Sequence, residues 1–251
     1  MAADRVSAVE TSVEVIETLA RLEKAGVTEI ANEVGGSKAN VHKHLKTLQA
    51  ARLVRQSEAG YTLGHRFLHF ATTAQQTEPI YRESQQYLTN LADVTGATAT
   101  LVVREGLDGV YLQVVSPTDN RTEAPEEGTR APLHELTGGL AILSCYDTDR
   151  RTELLSELVA SETRARTLQD RLETIRQHRT AISDRDGAGN EDGDTPREVV
   201  APVTTGDGHP AGAVGLWTPA SGDEDARVET DLRKLVRNTA TTISNRLTLT
   251  R

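Results

Sequence analysis

A glycine pair set between two short amphipathic stretches constrains this chain more than any other feature. Gly35-Gly36 separates residues 29–34, with Ile30, Ala31 and Val34 on one side, from residues 38–51, where Val41, Leu45 and Leu48 repeat at helical spacing. Thr28 is the expected N-cap of the first helix and Ser37 that of the second. If the three apolar residues of the second helix face inward, Lys38, Asn40, Lys43 and Lys46, with His42 and His44 nearby, are left on its outer and flanking faces. Residues 37–56 hold five Lys or Arg and no Asp or Glu. Residues 53–56 and 61–63 then read as two short strands joined by Ser57-Glu58-Ala59-Gly60. This order predicts a winged helix-turn-helix.

Such a helix fits the major groove of DNA. Asn suits a bidentate contact with adenine, Lys suits guanine or phosphate, and a basic wing carrying Arg55 can follow the backbone. The competing reading is a solvated basic face or a winged helix that binds protein.

The run Gly35-Gly36-Ser37-Lys38-Ala39-Asn40-Val41-His42-Lys43-His44-Leu45 resembles the turn and recognition helix of IclR-family transcriptional regulators, which read Gly-Leu-x-Lys-Ser-Thr-Val-His-Arg-Leu-Leu. Leu53-Val54 and Tyr61-Thr62-Leu63-Gly64 resemble that family's wing and its Tyr-x-Leu-Gly ending. The resemblance implies that Lys38, Asn40, His42 and Lys43 contact DNA; Ser37, Lys46 and Arg55 complete the expected set. Asn40 for Thr and Lys43 for Arg are departures that bear on the base sequence read.

Charge is distributed unevenly. Residues 1–77 carry nine Lys or Arg against eight Asp or Glu, and the remainder nineteen against twenty-nine, giving the net −9. Four of five lysines (Lys24, Lys38, Lys43, Lys46) lie in the first fifty residues. Few lysines and aromatics with many acids and threonines suggest a halophile, in which acidity keeps the chain soluble rather than marking a cationic ligand. Lysine kept only where DNA is expected strengthens the first reading. Neither a membrane-spanning apolar run nor a signal-peptide segment in residues 1–10 is visible, so a cytoplasmic protein is expected, without membrane contact. With Cys145 the single cysteine, no internal disulfide and no Cys-cluster zinc site can form, and no cofactor is expected.

Along the chain, residues 7–22 form a first helix with Val9, Val13, Ile16, Leu19 and Ala20 at helical spacing, and residues 65–77 a linker helix with Phe67, Leu68, Phe70 and Ala71 on one side. The linker helix either packs on the wing or couples two domains and pairs with its twin. Pro79 opens a helix that stops at Gly96; residues 97–104, 109–115, 198–204 and 211–218 read as strands; residues 137–146, 150–160, 162–182 and 223–247 read as helices, the last with Val228, Leu232, Leu235, Val236, Ile243 and Leu247 in one stripe. The acidic, Gly-rich residues 183–196 lack the spacing of a calcium loop and read as surface loop.

The expected fold is therefore α+β: a winged helix-turn-helix over residues 1–64, a linker helix over 65–78, and a domain over 79–251 with an antiparallel sheet flanked by helices. This last part resembles the GAF-like effector domain of the IclR family through Pro132-Leu133-His134, Gly139, Arg176-x-x-Arg179 and Val200-Ala201-Pro202-Val203. The resemblance implies effector binding at Thr137, Gly138, Glu198, Gly215 and Trp217. Leu140 replaces a usual Lys, Glu198 a common Cys, and Gly215 and Trp217 serines that hold a small carboxylate in some members. Glu198 should repel an anion and Trp217 narrow the pocket, so a neutral or sugar-like effector, or none, is expected.

An enzyme would need a nucleophile, a base and an orienting group. Cys145 follows an apolar helical run and reads as a buried cysteine, His134 as a packing residue, and His42, His44, His65 and His69 share no face for a metal. The reading is thus a regulator with no catalytic or metal site, acting as a homodimer, with a tetramer left open, on a palindromic operator in double-stranded DNA under control of a small-molecule metabolite. The alternative is a ligand-free repressor or architectural protein whose C-terminal domain only dimerises.

Overall fold

Why the first seventy residues fold as they do is visible in three small helices that share one apolar core. The computed structural model describes residues 5–117, 124–183, 197–218 and 225–249, with side chains in the last stretch described from Thr230. The chain divides into two compact units, Met1–Thr77 and Glu78–Arg251.

In the first unit, α1 (Ser7–Leu22), α2 (Val27–Val34) and α3 (Lys38–Ala50) precede a hairpin of β1 (Val54–Ser57) and β2 (Gly60–Leu63) and a final helix α4 (Arg66–Thr77). Val15, Leu19, Ile30, Ala31, Val41, Leu45, Leu48, Val54 and Tyr61 form the core. Gly35 ends α2 with φ 71°, a left-handed conformation that glycine adopts without a Cβ penalty. Ser37 then caps α3, its hydroxyl accepting from the Asn40 amide at 3.2 Å. The wing is pinned back to the helices by an antiparallel bridge, with Tyr61 N–H donating to Ala25 O at 2.8 Å.

Two expectations for this unit need correction. Helix α2 begins at Val27, one residue before the anticipated Thr28 cap, and its N-cap is Gly26, which offers no side-chain hydrogen bond. The apolar stripe of α1 also differs. Val15 and Leu19 are fully buried, whereas Val9 is 59% and Val13 46% exposed and Ala20 faces solvent. This helix carries two overlapping stripes, and spacing alone does not say which one meets α2 and α3.

The second unit is built on a six-stranded antiparallel sheet of order β5-β4-β3-β8-β7-β6. Its strands are β3 (Thr98–Glu105), β4 (Asp108–Val115), β5 (Arg130–Pro132), β6 (Ala181–Ile182), β7 (Arg197–Thr204) and β8 (Pro210–Thr218). Alternate residues serve two cores. On one face Ala99, Leu101, Val103, Val199, Ala201, Val214 and Leu216 pack with α5 (Pro79–Thr95) and α9 (Asp225–Leu249). On the other, Val102, Tyr111, Val200 and Ala213 pack with α6 (Thr137–Ser144), α7 (Thr148–Leu158) and α8 (Glu162–His178). With both faces covered, strands such as β3 read as nearly unbroken apolar runs.

Sequence reading missed β5 and the 3-10 turn Leu133–Glu135, both too short for a periodic signal, and ran α8 too far. The helix stops at His178, Arg179 turns left-handed at φ 55°, and Ala181 and Ile182 pair with Val200 and Val199. Ser183 apart, the acidic residues 183–196 lie outside the described residues, as does the side chain of Val228.

Candidate nucleic-acid and effector sites

Burying Val41, Leu45 and Leu48 fixes the rotation of α3, and that rotation decides what it shows to solvent. Lys38, Asn40, His42, Lys43 and Lys46 are all exposed, with Ser37 exposed at the helix N-terminus and Arg55 exposed on β1. His44 departs from the group. Its Nδ1 lies 2.8 Å from Ser12 Oγ, and that hydroxyl also lies 3.0 Å from Ala8 O. If Ser12 donates to the carbonyl, Nδ1–H donates to Ser12, and His44 is a strut between α3 and α1 rather than a groove-facing residue.

Beside the wing, a surface hollow of about 1000 Å³ is lined by Arg52, Arg55, Arg66, His65 and His69 together with neutral residues. The sequence signal for these side chains was present as charge, but only the fold of α4 against the hairpin gathers them. Arg66 is anchored there, donating to Ala51 O at 2.7 Å with its guanidinium 5.1 Å from the Phe70 ring centroid. None of the side chains of α4 is buried; Leu68 is 68% and Phe70 44% exposed, so core packing on the wing is not what its apolar residues do.

In the second unit, the five residues expected at an effector site fall on the α6-covered face of the sheet or on α6 itself. Register places Glu198 beside Trp217 and Trp217 beside Thr98, while the next inward row holds Val200, Gly215 and Thr100. Thr137 begins α6 and its hydroxyl hydrogen-bonds Glu198. Gly138 lies against Val102, where an added Cβ would stand 2.7 Å from Cγ2.

Glu198 is 2% exposed. Burial raises its pKa from the ordinary 4.5 to about 7, and the hydrogen bonds from Thr137 and Tyr111 offset only part of that rise. Tyr111 was missed by sequence reading. It is 2% exposed, its hydroxyl lies 3.4 Å from Glu198 Oε1, and burial together with that carboxyl raises the phenol pKa, so it keeps its proton. Strand alternation could have turned it inward, but not toward β7. Thr100 Oγ1 and Trp217 Nε1 are buried without a hydrogen-bond partner among the described residues.

The enzyme candidates are not assembled. His134 and Cys145 stand at opposite ends of α6; burial lowers the His134 pKa and raises that of Cys145, whose thiol lies 3.6 Å from Ala141 O. Among the described residues no group of three or more His, Cys, Asp or Glu could hold a metal ion.

Comparison with known proteins decides the family. Residues 72–245 match the model described as "Bacterial transcriptional regulator IclR C-terminal", and residues 8–58 match the IclR helix-turn-helix domain. The chain belongs to the IclR family of transcriptional regulators. It is 27% identical to the "Probable HTH-type transcriptional regulator ArcR" of Halobacterium salinarum, over 97% of this chain and 94% of that one. This relative agrees with the halophilic composition. Among solved structures, the IclR of Thermotoga maritima superposes with a TM-score of 0.75 at 20% identity, covering 97% of this chain and 99% of that one. An IclR homolog from Microbacterium hydrocarbonoxydans complexed with 4-hydroxybenzoate gives 0.75 at 15% identity, covering 96% and 98%. At such identities these two establish the fold alone. As an IclR-family member, the chain is a DNA-binding transcriptional regulator rather than an enzyme.

Proposed function

We propose that this IclR-family regulator binds a palindromic operator as a homodimer, with α3 in the major groove, and that a small metabolite held on the α6 face of the second unit sets its affinity. The observation that carries the DNA reading is the exposed set Lys38, Asn40, His42, Lys43 and Lys46 on a helix whose opposite side is fully buried. Lys38, Lys43, Lys46 and Arg55 supply phosphate attraction, Ser37 orders the helix start, and Asn40 and His42 read bases.

A single recognition helix reads too few base pairs for an operator, and twofold symmetry doubles the site. Supporting a dimer are the exposed apolar side chains of Val6 at the N-cap of α1, Val9 and Val13 on α1, and Leu68 and Phe70 on α4. A ligand that favours one dimer geometry would change the separation of the two recognition helices, and operator affinity would follow. No helix among the described residues is long and apolar enough to cross a membrane, and we place the protein in the cytoplasm with its DNA.

The test is Asn40→Ala. It should cost about 1 to 3 kcal/mol on operator DNA and little on random duplex. Equal losses on both would remove Asn40 from base reading.

A further inference from the structure

Glu198 is a buried carboxyl that no cation meets among the described residues. Among the described residues its side chain is met only by two hydroxyls, that of Thr137 and that of Tyr111 at 3.4 Å, the outer limit of a hydrogen bond. A carboxylate removed from water is costly unless a counter-charge and further donors meet it. Two more polar groups on the same face of the sheet, one a hydroxyl that can accept and one an indole N–H, lack a partner among the described residues. Among the described residues, fully buried Thr100 has no partner for Oγ1, and Trp217, the Cα partner of Glu198 across β7 and β8, has a buried Nε1 without an acceptor. Native interiors leave few such atoms, and they concentrate where a ligand or water completes the set. Gly215 keeps the sheet floor low at this point: a Cβ there would stand 3.0 Å from Thr100 Oγ1 and 2.8 Å from Val200 Cγ2.

We propose that the effector is a molecule bearing a cationic nitrogen, an ammonium or guanidinium group, received by the Glu198 carboxylate and Thr100 Oγ1 beside the Tyr111 and Trp217 rings. This rests on reading the second unit as the effector domain. A carboxylate with aromatic neighbours and spare acceptors suits a cation through ion pairing, N–H donation and ring-face attraction. An anion meets Glu198 itself. A neutral polyol leaves the charge uncompensated. In forming the complex the cation displaces the long Tyr111 hydrogen bond, and Glu198, if protonated, releases its proton.

The charged and titratable groups around Glu198 leave it as the source of a response near neutrality. Tyr111 on β4 keeps its proton. Residues Thr137–Ser144 of α6 carry no ionisable side chain, and Cys145 at its far end has a raised pKa. Arg171 of α8 donates to Ile182 O at 3.1 Å, and Arg197 is the neighbouring residue on β7. The inward positions of β3 and β8 are Thr98, Thr100, Val102, Ala213, Gly215 and Trp217.

The test is calorimetric titration and thermal shift of the full chain in molar potassium chloride. The probes are putrescine, L-arginine, phenethylamine and benzamidine, against benzamide, xylitol and 4-hydroxybenzoate. At least one cation should bind, release protons at pH 7, and gain about tenfold in affinity from pH 6 to pH 8 as Glu198 ionises around its pKa of about 7. Glu198→Gln should lose that binding, and Thr100→Val should weaken it, while both variants still bind DNA. The proposal is overturned if only the neutral or anionic probes bind, if no probe binds, or if Glu198→Gln binds the cation as wild type does. A neutral or anionic probe that shifts DNA affinity would keep effector control while ending the cation proposal; intact DNA binding with none of the probes active would end only the latter.

Discussion

The exposed face of α3 and the buried face under α6 carry polar chemistry in opposite ways. On α3, Lys38, Asn40, Lys43 and Lys46 are exposed to water, and leaving them there costs the fold little. Under α6, Glu198, Tyr111, Thr137 and Thr100 have been taken out of water, and each must be satisfied inside the protein or by what it binds. The first surface can be altered with little effect on the fold. In the second, on the reading proposed above, binding and stability would draw on the same contacts.

Predictions that strain this contrast run from large effects to small. Gly139→Ala should be the most damaging, because a Cβ there would stand 2.1 Å from Leu133 O, a backbone atom that cannot step aside. A loss of roughly 3 kcal/mol or more is expected, read as lowered melting or insoluble protein. A variant melting like wild type would show that α6 is not held so tightly.

Glu198→Gln comes next. The folded carboxyl holds its proton up to about 7 and the unfolded one only to its ordinary 4.5, so between these values the folded state binds more protons. Stability therefore falls as pH rises through that window, by about 3 kcal/mol in total, and the glutamine variant lacks this loss. Denaturant unfolding at pH 5 and pH 8 should show wild type losing stability relative to the variant. Parallel curves would mean that Glu198 is not the desolvated acid described here. Smaller still is Ser12→Ala, which removes the partner of His44 and should cost about 1 kcal/mol in the first unit without altering base preference.

The same contrast explains what could be read before folding. The recognition face needed only a cap, a turn and a three-residue apolar repeat, all local in sequence, and Ser37, Gly35, Val41, Leu45 and Leu48 sit as expected. That the flank carrying His44 meets α1 could not be read locally, because its partner Ser12 lies 32 residues away. Tyr111 was missed for the same reason at greater range: it meets Glu198 across 87 residues of sequence and from a non-adjacent strand. Alternation says which face a residue takes, not which neighbour it reaches. The exposed stripe of α1 is a third case, since Val9 and Val13 obey helical periodicity without facing the core of their own chain. Glu198, Thr137, Gly215 and Trp217 were located through family resemblance, while the state of that carboxyl follows only from its burial.

The measurement that bears most directly on the central claim is in-vitro selection of duplex DNA by the full protein in molar potassium chloride, followed by binding of the selected duplex to wild type and to the Lys38→Ala, Asn40→Ala, Lys43→Ala triple variant. The account predicts an inverted repeat in the selected pool and a loss of at least about a hundredfold in the triple variant, whose melting should stay near that of wild type. A pool without a repeat, or a triple variant that binds as tightly as wild type, would contradict it.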